Sequence, residues 1–244
     1  MTAIYKNILS NAGCNRKMLA VLLDPDKCTG SVLTETLAEF EKCTPDFIFI
    51  GGSTGMFNTE GLLLSLKNVQ TPKILFPGDA SQFCPTADGL LFLSLISGRN
   101  PDYLIDQHVQ SAIEVKKSSV EVIPTGYILI DGGNISAVER VSNTCPLNPD
   151  DVTVCVSTAI AGELLGLKLI YLEAGSGAKY PVPETIIRAV KQVLNIPLIV
   201  GGGIRTKEQL DAAFHAGADL VVIGNLFETQ TVKISELVNY VRNF

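Results

Sequence analysis

Two stretches near the end of the chain, Pro197-Leu198-Ile199-Val200-Gly201-Gly202-Gly203-Ile204-Arg205 and Asp219-Leu220-Val221-Val222-Ile223-Gly224-Asn225, share one design: a short apolar run that stops in glycine. A run of three or four branched apolar residues with no polar alternation reads as a parallel strand buried on both faces. The glycines that follow permit a tight turn whose backbone N–H groups point together, which is how phosphate oxygens are held. Each turn taken singly could simply close a strand-to-helix connection. A pair of them after the last two strands is the phosphate grip characteristic of a (β/α)8 barrel.

Six more apolar runs precede these two. The expected strands cover residues 18–23, 46–51, 73–76, 89–94, 125–130, 169–173, 197–201 and 220–224, and eight is the number that closes such a barrel. Amphipathic segments predict helices over 31–42, 59–66, 101–117, 157–165, 183–194, 206–216 and 235–242. Between the third and fourth strands, residues 77–87 carry two prolines and a Gly-Asp pair, so a loop replaces the helix there. Residues 131–151 read as an irregular insertion after the fifth strand. The fold class is therefore α/β, a TIM barrel in one domain spanning 1–244. An open doubly wound sheet shares the βα alternation, but it would place its glycine fingerprint after the first strand, not after the seventh and eighth.

The chain has 244 residues, of which 46% are hydrophobic, enough to bury the core of a barrel of roughly 250 residues. Its net charge of −6 with scattered basic residues lacks the electrostatic footprint of a nucleic-acid binder. Six cysteines without a CxxC pair and two distant histidines suggest neither a zinc site nor a disulfide framework. The first sixteen residues contain no continuous apolar segment of the signal-peptide kind, and no stretch offers the roughly 18 apolar residues of a membrane span. These features predict a reduced, soluble, cytoplasmic protein.

Residues that can do chemistry gather at the strand ends. Strand six runs into Tyr171-Leu172-Glu173-Ala174-Gly175-Ser176-Gly177; alternation sends Tyr171 and Glu173 to one side, where the carboxylate could take a proton from a substrate hydroxyl or hold a polyol. It could equally accept bonds from a neighbouring loop. Strand one runs into Asp24-Pro25-Asp26-Lys27 and strand two into Gly51-Gly52-Ser53-Thr54. Asp24 and a hydroxyl from Ser53 or Thr54 could share a Mg²⁺ that keeps several waters and takes substrate phosphate oxygens; an ordinary turn with Asp26 as a helix cap is the plainer reading. Asp79 and Asp131 also lie on the presumed catalytic face. Arg99 is a loop cation that could meet a second phosphate, and His108, inside a helix, reads as a surface or packing residue.

Taken together, Leu23 to Lys27, Ile50 to Thr54, Leu93 to Pro101, Tyr171 to Gly177, Gly201 to Arg205 and Gly224-Asn225 resemble the geranylgeranylglyceryl phosphate synthase family, in the family's order and over nearly the whole chain. The resemblance implies a Mg²⁺-dependent prenyltransferase that joins the C3 hydroxyl of sn-glycerol 1-phosphate to a prenyl diphosphate, with geranylgeranyl diphosphate the expected donor. It implies that Asp24 and Ser53 hold the magnesium, and that Tyr171, Leu172, Glu173, Ala174, Gly175, Ser176, Gly177, Gly202, Gly203, Gly224 and Asn225 hold the glycerol phosphate, with Glu173 taking the hydroxyl proton. It also favours a homo-oligomer. Some relatives carry a phosphate-binding lysine where this chain has Leu22, so another cation or further backbone donors must serve. The tail needs an apolar trough, for which Leu91, Phe92, Leu93, Leu95, Ile96 and Tyr103 are candidate walls.

Three rivals use the same late glycine turns. An isomerase or lyase of amino-acid biosynthesis would need paired acid and base groups, for which Asp24 and Asp131 are available, but leaves the segment 171–177 unexplained. A flavin-dependent barrel and an inactive phosphate binder are the others.

Overall fold

A computed structural model describes residues 3–52, 58–224 and 233–244. Eight parallel strands form a closed barrel: β1 (Met18–Leu23), β2 (Phe47–Ile50), β3 (Lys73–Leu75), β4 (Gly89–Leu95), β5 (Glu121–Leu129), β6 (Leu169–Glu173), β7 (Leu198–Gly201) and β8 (Leu220–Ile223). β8 pairs back onto β1 with Met18 opposite Leu220. The helices are α1 (Ala3–Gly13), α2 (Gly30–Lys42), α3 (Thr59–Ser65), α4 (Gln107–Lys117), α5 (Ala137–Ser142), α6 (Val152–Leu164), α7 (Glu184–Val193), α8 (Lys207–Ala216) and α9 (Ile234–Arg242). As expected, no α-helix joins β3 to β4; a single 3-10 turn, Ala80–Gln82, stands there with Asp79 capping it through Ser81 N at 2.8 Å.

Strand alternation divides the apolar residues into two layers. One set, including Met18, Ala20, Phe47, Phe49, Ile74, Leu91, Leu169 and Ile199, fills the barrel interior. The intervening set, including Leu19, Ile48, Leu75, Ile170, Val200 and Val221, packs against the surrounding helices. Both layers are almost fully buried, which is why these strands read as continuous apolar runs. Each fully buried large side chain contributes about 1.5–3 kcal/mol relative to exposure.

Four features differ from the sequence expectation. Residues 3–13 form α1, whose first-turn N–H groups at Ile4 and Tyr5 both donate to the Glu121 carboxylate at 2.7 Å. A distant anion thus holds the start of this helix, a contact that nothing along the local sequence announces. With Ile4 and Ile8 joined to the interior layer, α1 lies against the end of the barrel where the strands begin and leaves the opposite end for a site. Next, β5 starts at Glu121 rather than 125, because its register with β4 carries on through the Phe92–Pro124 pair despite the missing proline donor. Finally, the 131–151 insertion holds the short helix α5, fastened by a capping box in which Ser136 Oγ accepts from Glu139 N at 3.0 Å. α6 also begins early, at Val152, capped by Asp151.

Candidate active site

The C-terminal strand ends surround a polar cavity of about 340 Å³, room for a small phosphorylated molecule. β6 and β7 meet in register there, Glu173 beside Gly201. The Glu173 side chain points into the barrel and is only 6% exposed. Its Oε1 accepts the Gly175 N–H at 2.8 Å. Burial pushes its carboxyl up to about 7, offset in part by the nearby Tyr171 hydroxyl and the Gly175 N–H. The Tyr171 hydroxyl approaches this carboxylate without reaching full hydrogen-bond geometry, and burial followed by the Glu173 charge holds it, like Tyr127, well above the phenol range. Both phenols therefore stay neutral, while Glu173 changes charge near neutral pH.

The glycines beside it are there for space. A Cβ on Gly201 would lie 2.3 Å from the Tyr171 hydroxyl and 2.8 Å from Glu173 Oε2. On Gly202 it would lie 2.2 Å from Glu173 Oε1, at a φ of 79° that disfavours any other residue. The carboxylate is thus gripped between two turns, and the backbone of Gly202, Gly203, Gly175, Gly177 and Gly224 lines the cavity above it with Ser176. Leu172 and Ala174 belong to the outer layer; the Ala174 N–H donates to the Gly201 carbonyl at 3.0 Å. Asn225 lies outside the described residues, as do Ser53 and Thr54.

Across the same cavity stand Asp24 and Asp26, with Gly51 and Gly52 adjacent. Asp24 Oδ1 accepts from Asp26 N at 3.1 Å, and its carboxylate lies 3.9 Å from Lys27 Nζ. Leu22 lines the cavity where a lysine was missed in the sequence, and two cations, Lys27 and Arg205, line it as well. Arg205 also donates to the Ala178 carbonyl at 2.7 Å.

A second, apolar cavity opens beside the first between β4, α4 and the turn after β3. Leu91, Phe92, Leu93, Leu95 and Tyr103 line it, while Ile96 does not. His108 lines it too, buried with its ring 4.2 Å from that of Phe92: a packing residue whose pKa burial lowers. Arg99 is exposed and donates to the Ile96 and Gly98 carbonyls at 2.9 and 2.7 Å. Asp131 accepts from Gly133 N at 2.8 Å and stands among the lining residues of neither cavity.

Two contributors went unnoticed in the sequence. Buried Gln82 clamps the Gly52 peptide, its Nε2 donating to the Gly52 carbonyl at 2.9 Å and its Oε1 accepting the Gly52 N–H at 3.5 Å. Phe76 follows β3 and lines both cavities. A glutamine in a loop and an aromatic at a strand end carry no local signal; the eleven-residue loop that replaced a helix was the available hint.

A barrel whose glycine turns enclose a buried carboxylate in a polar cavity, with an apolar cavity alongside, has the layout of an enzyme that joins a small polar substrate to an apolar one. The chain belongs to the PcrB family of geranylgeranylglyceryl phosphate synthases, prenyltransferases of ether-lipid biosynthesis; residues 14–241 match that family. It is 49% identical over 238 residues to the geranylgeranylglyceryl phosphate synthase of Zunongwangia profunda, covering 96% of this chain and 100% of the relative. The Flavobacterium johnsoniae enzyme of the same name is 50% identical, covering 95% and 96% of the two chains. A crystal structure of (S)-3-O-geranylgeranylglyceryl phosphate synthase from Thermoplasma acidophilum in complex with its substrate sn-glycerol-1-phosphate superposes with a TM-score of 0.89 at 33% identity, over 100% of this chain and 98% of that one.

Proposed function

We propose that the protein joins the C3 hydroxyl of sn-glycerol 1-phosphate to C1 of geranylgeranyl diphosphate in a Mg²⁺-dependent reaction, the polar cavity taking the acceptor and the apolar cavity the prenyl tail. The observation that carries this reading is the buried Glu173 carboxyl, raised to about 7, on the floor of a glycine-lined cavity that opens onto an apolar one. In this assignment the segment Tyr171 to Gly177, with Gly202, Gly203, Gly224 and Asn225, holds glycerol phosphate through backbone donors. Glu173 orients the C3 hydroxyl and accepts its proton as the oxygen bonds to C1 and diphosphate departs. A base of ordinary strength suffices, since the electrophile carries most of the activation.

Asp24, with Ser53, would hold the magnesium. The residues present fit that ion: Asp24 and Asp26 place hard oxygen donors on the cavity wall and leave further positions for water and diphosphate oxygens, as Mg²⁺ requires. When bound, the ion supplies Lewis-acid stabilisation of the departing diphosphate. Lys27 and Arg205 are the cations placed to serve in lieu of a lysine at Leu22.

Among the described residues no helix is long and apolar enough to cross a membrane. Six unpaired cysteines, four of them buried, favour a reducing cytoplasm. The exposed stripe Ile105, Val109 and Ile113 supports a homo-oligomer, to be checked by light scattering.

The function is tested by incubating the protein with Mg²⁺, labelled sn-glycerol 1-phosphate and prenyl diphosphates of several lengths. An organic-soluble ether with the geranylgeranyl donor is expected, and less from sn-glycerol 3-phosphate. No product with any donor would refute the assignment.

A further inference from the structure

The polar and apolar cavities share four lining residues: Gly52, Phe76, Tyr127 and Val138. On the functional reading above, on which this inference rests, the reacting C1 must lie at that seam, because it is the atom joining the tail to the diphosphate. The chemistry there has a charge problem. An allylic C–O bond that breaks ahead of the new bond leaves positive charge spread over C1 and C3 of the prenyl unit, against a wall of aliphatic and aromatic side chains in which Asp79 is the one acidic group among the described residues.

One side chain at the seam is a hydrocarbon π face with accessible surface. Gly52 contributes only backbone, Val138 is aliphatic, and Tyr127 is 5% exposed, whereas Phe76 is half-buried and lines both cavities. Its ring is held firmly, with centroids 5.4 Å from Tyr171, 6.0 Å from Tyr127 and 6.2 Å from Phe49. Its backbone is fixed as well. The Phe76 N–H donates to the Ile50 carbonyl at 2.8 Å, and Gly51 lies so close that a Cβ there would be 1.8 Å from the Phe76 carbonyl oxygen.

We propose that Phe76 is a catalytic residue of the transfer, its π face stabilising the positive charge that develops on the allylic carbons as the C1–diphosphate bond breaks. The electron pair of that bond leaves with diphosphate, the C3 hydroxyl oxygen supplies the pair for the new C–O bond, and its proton goes to Glu173. A ring quadrupole suits this task better than a carboxylate at the same place. It attracts the cation without offering a lone pair that could trap it, and in a desolvated seam the attraction is at its strongest.

The competing account, that Phe76 merely packs against the tail, is separated by changing the ring's electron density at nearly constant shape. Phe76 is replaced in the full chain by 4-fluoro-, 3,5-difluoro- and 3,4,5-trifluorophenylalanine, and also by Phe76→Leu and Phe76→Tyr. For each protein kcat is measured with Mg²⁺, sn-glycerol 1-phosphate and geranylgeranyl diphosphate, and Kd for the unreactive S-thiolodiphosphate analogue of the donor. The expected result is a stepwise fall of log kcat with fluorine number, reaching about thirtyfold for the trifluoro ring. Kd should stay within about twofold, since the analogue bears no developing cation. Phe76→Leu loses at least as much kcat, and Phe76→Tyr recovers most of it. A flat kcat across the fluorinated series in an otherwise active protein overturns the role of Phe76 alone. Absence of product from the unmodified protein sinks the functional assignment instead.

Discussion

The polar and apolar cavities sit side by side at one end of the barrel yet are built by opposite means. The polar one has on one side the glycine turns after β6, β7 and β8, which let peptide N–H groups and a single buried carboxylate approach each other, and on the other the Asp24 and Asp26 side chains after β1. The apolar one comes from β3, β4 and α4 and is lined by side chains, with the usual helix after β3 reduced to a 3-10 turn that leaves room beside Phe92 and His108. On the proposed assignment the first takes the charged acceptor and the second the apolar tail. A single residue change should therefore damage the two substrates separately, and the size of the damage should follow how tightly each wall is packed.

The largest effect is expected at the polar floor. Glu173→Gln should lower kcat by about a thousandfold while calorimetry still detects sn-glycerol 1-phosphate binding. Because burial raises this carboxyl to about 7, kcat/KM of the unmodified protein should climb as pH rises through that value and then level, the protonated acid being unable to accept a proton. Stability runs the other way: the folded state holds this proton between about 4.5 and 7, so Glu173 costs stability as pH rises through that window.

Gly202→Ala comes next. Its Cβ would strike Glu173 Oε1, and the KM for glycerol phosphate should rise about a hundredfold with that for the donor little changed. At the boundary between the cavities, Gln82→Leu leaves the Gly52 peptide without its clamp; steady-state kinetics should show an increase of about tenfold in the donor KM and a smaller one for the acceptor. Were the acceptor to suffer more, the division of the site between the two cavities would fail. Smallest is Arg205→Ala, an exposed cation at the cavity rim, expected to weaken acceptor binding by about threefold and less at high salt.

The same difference explains what could be read from sequence. Backbone sites depend on glycines at strand ends, and glycines are local signals: Gly201 to Gly203, Gly224 and the segment 171–177 announced the barrel and the turns that line its polar cavity. The order of the eight strands followed from apolar runs that their double burial demands. Side-chain sites give no such notice. Leu91, Leu93 and Leu95 alternate like any core strand, and whether a cavity or a helix covers them is decided by the loop opposite. Gln82 and Phe76 matter through partners across the sheet, Gly52 and Tyr171, that no spacing along the chain reveals. α1 escaped notice for a like reason, since its cap, Glu121, is more than a hundred residues away.

Acceptor and donor are expected to occupy these two cavities and to meet at Phe76. A crystal structure with Mg²⁺, sn-glycerol 1-phosphate and the S-thiolodiphosphate analogue of geranylgeranyl diphosphate tests it most directly. The phosphate is expected on the Gly202, Gly203 and Gly224 turns, the C3 hydroxyl at Glu173, the tail along Leu91 to Leu95, and C1 between Phe76 and that hydroxyl. A tail lying outside the apolar cavity, or a C1 remote from Phe76 and Glu173, would contradict it.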